Sequence, residues 1–183
     1  MRRLRLAILL LVPAAVLLTG CGDSYQVAAS VGDLEISHDD LETEAAAWGS
    51  NAELMLQLDI SAAPADGAVP QLIVNEILNL HIQGELARLA TADIADQGDG
   101  PAQMSELRAG IESNFGPLFA DFPDDLREQI YEDITHLQFL STVGGVPADA
   151  DVYVSPRYGT TDINNVVQSP TGARPDPTPV FGL

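Results

Sequence analysis

The 183-residue chain has no lysine, a single cysteine and only 5% aromatic residues. Each shortage excludes something. A lone cysteine, Cys21, cannot close an intramolecular disulfide, and it cannot build a cysteine-rich zinc site. Eight basic residues stand against 27 acidic ones, for a formal charge of −19. That balance excludes nucleic-acid binding, which needs cations against phosphate. It also argues against a body lying flat on an anionic bilayer, and it leaves soluble neutral or basic partners. Catalytic signatures are missing as well: the chain has no GxSxG, Walker A, Rossmann, HExxH or EF-hand pattern. His38, His81 and His136 fall on three separate predicted elements with no ligand spacing, so they read as solvated or capping residues and no metal site is expected. Asp39-Asp40 and Asp124-Asp125 sit at predicted helix starts, where carboxylates oppose the helix dipole. The expectation is a protein without cofactor or catalytic residues, and not an enzyme.

What is present begins at the N-terminus. Arg2, Arg3 and Arg5 precede an uncharged apolar run, Leu6 to Leu18. That run is shorter than the roughly 20 residues a membrane-spanning helix needs and has the form of a secretory signal. It ends in Leu18-Thr19-Gly20-Cys21, which resembles the lipobox of bacterial lipoproteins. The resemblance implies cleavage between Gly20 and Cys21, and lipid (a diacylglyceryl thioether and palmitate-type acylation) on Cys21. It places the protein at the cell membrane, lipid-anchored on the extracytoplasmic face. All 27 acids but only five basic residues come after Gly20, so the mature chain carries −22. Residues 21–24 form a tether of about 10 Å at most, short enough to hold the start of the domain near the bilayer with the helices standing outward.

The body reads as mainly α: about four helices with a small antiparallel β pairing between residues 26–31 and 152–154. Val27, Ala29 and Val31 alternate as in a strand, Gly32-Asp33 reads as a turn, and Leu34 to Ile36 as a second extended piece. Ser37 is placed to cap a helix through Leu41, Ala45 and Trp48, broken at Gly49-Ser50-Asn51 and resumed over Ala52 to Leu58. Apolar spacing predicts a long central helix over Val69 to Thr91, with Gly84 inside it as a mark of close helix packing. Asp96 to Pro101 breaks the chain before a helix over Ala102 to Asn114. Leu126, Ile130, Ile134, Leu137 and Leu140 form the stripe of a last helix, which opens at Pro123 and stops at Gly144-Gly145. Val152 and Val154 mark a returning strand. A lone strand cannot satisfy its backbone, so it should pair with the first. Residues 161–183, rich in proline, read as a flexible or extended tail.

Val27 to Asp33, Ile36-Ser37 and Asp40-Leu41 resemble the opening of the SurA/PrsA-type N-terminal chaperone domain. Ile77 to Ile82, with Leu86, Ala87 and Ala90, is similar to that family's long helix. Val152 to Gly159, containing Pro156, Arg157, Tyr158 and Gly159, resembles its returning segment. The resemblance spans about residues 25–160. It implies a helical chaperone domain closed by pairing of its end strands. The parvulin isomerase domain often inserted before the returning strand has no counterpart, because only Ser141 to Ala150 occupies that place. The expected role is therefore noncatalytic: binding unfolded or exported protein clients, with a dedicated cell-envelope adaptor or scaffold, and then solute binding, as alternatives. Trp48, Met55, Phe115, Phe119 and Phe122, together with Met104, are the large side chains available for client contact, against the competing expectation that they fill the core.

Overall fold

The computed structural model describes residues 27–57, 70–161 and 167–168. The segment read as a signal peptide, Gly20, Cys21 and the expected tether lie outside the described residues, as do residues 58–69, 162–166 and 169–183. The chain enters through β1 (Val27–Val31) and β2 (Leu34–Ser37), which form an antiparallel hairpin with Val31 opposite Leu34. Its two-residue loop takes Gly32 at φ 55°, a conformation that the favoured hairpin turns require and a side chain resists. A bulge between Val27 and Ala29 interrupts the register. The strict alternation expected for β1 is therefore modified, and Ala28 and Ala29 are both fully buried.

Ser37 caps α1 (His38–Ser50), its hydroxyl accepting from the Asp40 N–H at 3.1 Å. Leu41, Ala45 and Trp48 form the buried face. Asn51 ends α1 and caps α2 (Ala52–Gln57): its side-chain oxygen accepts from the Leu54 N–H, and its amide nitrogen donates to the Leu118 carbonyl. The hub is α3 (Gln71–Ala95), with thirteen of its 25 residues buried. It packs against α1, α5 and β1. Asp96 to Asp99 then form the whole connection to α4 (Gly100–Phe115), with Gly98 at φ 57°. The predicted break is shorter than expected because Pro101 is accommodated in the first turn, where its missing N–H costs nothing. Finally α5 (Asp124–Thr142) begins after Pro123 and buries Ile130, Ile134 and Leu140 of the predicted stripe.

The return strand β3 (Val152–Val154) pairs antiparallel with β1, Ala29 opposite Val154 and Val31 opposite Val152. The sheet order is β2-β1-β3, so the first strand is central and the returning strand closes on it. The architecture is thus mainly helical with a small three-stranded antiparallel sheet. Within the stretch read as a flexible or extended tail, two residues dock on the body. Thr160–Thr161 (β4) pairs with Val167–Gln168 (β5), Val167 is fully buried, and its N–H donates to the Asn79 side chain at 2.7 Å. The stretch around Val167 (DINNVVQ) has neither a helical nor a strand period, so no periodic signal marks this docking. Among the described residues no helix is long and apolar enough to cross a membrane.

Candidate functional site

Three helices converge on one histidine. Glu44 lies on the buried face of α1 beside Leu41, Ala45 and Trp48. His81 lies mid-way along α3, 1% exposed. Asp133 projects from α5 over Gly84, where the helix has no side chain: a Cβ there would sit 2.6 Å from that of Asp133. The close approach expected at Gly84 is therefore real, and it delivers a carboxylate to the ring one turn away. His81 Nε2 is 2.7 Å from Glu44 Oε2, and Nδ1 is 2.5 Å from Asp133 Oδ2.

This arrangement dictates protonation. A neutral imidazole has one N–H and can satisfy one carboxylate; two carboxylates require the imidazolium, with both nitrogens donating. Burial opposes charge on the ring, but the Glu44 carboxylate and the two hydrogen bonds outweigh it and push the His81 pKa up to about 10. Burial likewise raises Asp133, only partly offset by His81, to about 6. The reading of His81 as solvated or capping is thus overturned. Its partners stand 37 and 52 residues away in sequence, and no spacing rule joins them. One signal was available: Glu44 occupies an apolar position of the α1 stripe.

A general base needs a ring nitrogen free to face substrate. Here both are engaged and the ring is enclosed, so the cluster is suited to joining helices and not to moving a substrate proton. Glu44 Oε1 and Trp48 Nε1, one turn apart on α1, are buried with no hydrogen-bond partner among the described residues. No group of three His, Cys, Asp or Glu side chains able to hold a metal ion gathers among those residues.

The other histidines are set differently. His38 Nδ1 lies 2.8 Å from the Tyr158 hydroxyl, and His136, half-buried, has its pKa lowered by burial. The segment Pro156 to Gly159 forms a clasp after β3. Ser155 N–H donates to the Ala28 carbonyl and Tyr158 N–H to the Ser155 carbonyl, both at 2.8 Å. Tyr158 is buried against α1, Gln71 donates to its carbonyl at 3.3 Å, and Gly159 takes φ 138°. Arg157 reaches Glu42 at 3.3 Å across an exposed surface and stacks over the Tyr158 ring, while Pro156 stays exposed.

Of the two expectations for the large side chains, client contact and core filling, burial fits core filling for most of them. Trp48, Met55, Phe119 and Phe122 are core residues, and Phe115 and Met104 are half-buried. Phe119 is the centre of the aromatic group, with Trp48 at 6.3 Å, Phe122 at 5.3 Å and Tyr131 at 6.0 Å between ring centroids. Aromatics are few and most of the described ones are buried, although Tyr153 faces solvent. The large apolar side chains that do face solvent include Leu56 and Val146, each 79% exposed, with Ile94 and Tyr153. An open polar cleft of about 490 Å³ runs between α4 and α5, lined by Glu112, Gly116, Ala120, Arg127, Glu128 and Tyr131. Its charges are internally matched: Arg108 pairs with Glu112 and Glu128, and Arg127 with Asp124.

Compared with known proteins, the chain matches no family model, no curated protein and no solved structure.

Proposed function

We propose that this protein is a lipid-anchored lipoprotein of the extracytoplasmic membrane face that binds unfolded or exported protein clients without catalysis. The observation that carries the reading is the closure of β1 on β3, with Tyr158 buried behind it. A SurA/PrsA-type N-terminal domain is expected to close in this way, and only residues 143–151 separate α5 from the returning strand. That span is too short for an isomerase domain. Anchoring rests on the lipobox-like Leu18-Thr19-Gly20-Cys21 and the preceding apolar run. A short tether would keep the strand end near the bilayer and leave the helices outward.

A second reading, a dedicated envelope adaptor, is favoured by one specific observation. The side chains best suited to promiscuous apolar contact are in the core, and exposed ones such as Leu56, Val146 and Tyr153 come from different elements. One experiment separates the two. Mature protein at stoichiometric amounts should at least halve the aggregation rate of several unrelated unfolded proteins. Protection of none, with recovery of one stoichiometric partner from solubilised envelope, would replace client binding by the adaptor role. In cells, Cys21→Ser should move the protein from the membrane to the soluble fraction; retention in the membrane would count against lipid anchoring.

A further inference from the structure

We propose that Glu44, His81 and Asp133 form a proton-linked latch that sets how firmly α1 is seated on α3 and α5: taking up a proton tightens the seat, losing it loosens it. The geometry supplies the parts. One enclosed ring is bound at both nitrogens, by α1 through Glu44 and by α5 through Asp133. With both acids ionised, two carboxylates share one imidazolium and the buried cluster carries a net negative charge. Protonating Asp133 makes the cluster neutral while its carboxyl can still accept from the ring. Charge left unbalanced in a protein interior is costly, so the neutral cluster is the better-seated one.

Among the described residues, no other charge is bonded to the ring. Beside it on α3, Glu85 is bound by Arg88 through two contacts of 2.6 Å. From α5, Glu132 adds negative charge next to Asp133 and makes its ionisation harder. Nothing in β1 titrates. On α4, Arg108 and Glu112 pair with each other, and Arg108 also with Glu128. The seat of α1 is also the natural place for loosening. Its buried face carries the unpartnered Glu44 Oε1 and Trp48 Nε1, and a face with unmade hydrogen bonds opens before one without.

The sign comes from proton binding. Asp133 in the fold titrates near 6, against an ordinary value of 3.8. Its contribution is fully present below about pH 4 and is lost as pH rises through 6. His81 works in the same direction: its contribution is complete below 6.5 and is lost as pH rises through about 10. Both windows therefore loosen α1 toward alkaline pH. The latch does not depend on the proposed function, although a protein held outside the membrane would meet the pH of the medium directly.

The test is amide hydrogen exchange on the mature chain at pH 5, 6, 7 and 8, corrected for intrinsic exchange. Acidification also relieves the general self-repulsion of so acidic a chain, so α1 is read against α4. The opening equilibrium of Leu41–Trp48 should rise by at least about tenfold from pH 5 to pH 8 relative to amides around Ile111, with His81 adding to the Asp133 part above pH 6.5. Asp133→Asn should remove the Asp133 part of that difference, read between pH 5 and 6 where His81 stays charged, and Glu132→Gln should keep most of it. Parallel changes in α1 and α4, or an unchanged profile in Asp133→Asn, would overturn the latch. Should Asp133→Asn not fold, ring NMR of the wild type decides: His81 must hold protons on both nitrogens at pH 8, and a neutral ring there refutes the proposal.

Discussion

Gly84 shows how much one absent side chain can organise. In a helix interior, alanine is favoured over glycine by about 1 kcal/mol. Here that gain is opposed by a methyl 2.6 Å from the Cβ of Asp133 and 2.5 Å from its carboxylate. The neighbour is a short side chain rooted on a packed helix, so relief requires α5 to shift. Overpacking of this kind costs about 1–3 kcal/mol, and the shift would also draw Asp133 off His81. Gly84→Ala is therefore expected to destabilise the protein by up to about 2 kcal/mol in urea denaturation, the loss of the Asp133–His81 contact tipping the balance. A stability equal to or above wild type would mean that α5 slides freely on α3. The sequence singled out Gly84 because glycine is expensive in a helix, but the residue it makes room for, Asp133, carried no such mark.

At the scale of elements, the fold depends on how a three-residue strand is held. β3 makes few backbone bonds of its own, and its retention relies on the residues C-terminal to it. Tyr158 anchors that return by burying its ring and meeting His38 at 2.8 Å, while the exposed Arg157–Glu42 pair contributes little at such exposure. Tyr158→Phe keeps the ring and removes the hydroxyl. The expected loss is about 1 kcal/mol, with faster amide exchange in Val152–Val154 than in α5; unchanged exchange there would show that the hydrogen bond to His38 does not hold the strand. Elements were the most legible level of the sequence. The Ser37 cap, the Gly32-Asp33 turn, the α5 stripe and the β1–β3 pairing all derive from local spacing or from the requirement that a strand find a partner. The β4–β5 pairing does not, because two-residue strands carry no period.

For the whole molecule, the end of the chain matters more than its composition suggests. Val167 is fully buried and its N–H is bound by Asn79 on the hub helix. Ending the chain after Thr161 would remove that side chain and leave the Asn79 oxygen without this donor. Full burial of a valine is worth about 1.5–3 kcal/mol, so the truncated protein should unfold at lower temperature, by several degrees in a thermal melt. An unaltered melting temperature would restore the reading of a tail independent of the body. The strong negative charge acts at this same scale. It favours solubility and repels anionic lipid, consistent with the proposed domain standing off the bilayer on a short tether.

The sequence by itself determined the helical architecture and the small closing sheet, because periodicity, caps and turn residues are local and one-dimensional. It also carries the lipobox-like segment on which the proposed anchoring at Cys21 rests, since a processing signal is read along the chain. The tertiary structure alone decided the rest. It decided between core and surface for the large side chains, burying Trp48, Phe119 and Phe122 among the helices while Leu56, Val146 and Tyr153 face solvent. It also joined Glu44, His81 and Asp133, which are distant in the chain and carry no signal singly. Their pairing arises only where three helices cross and Gly84 lets two of them approach, and only there does burial make two carboxylates and one imidazole into a charged cluster.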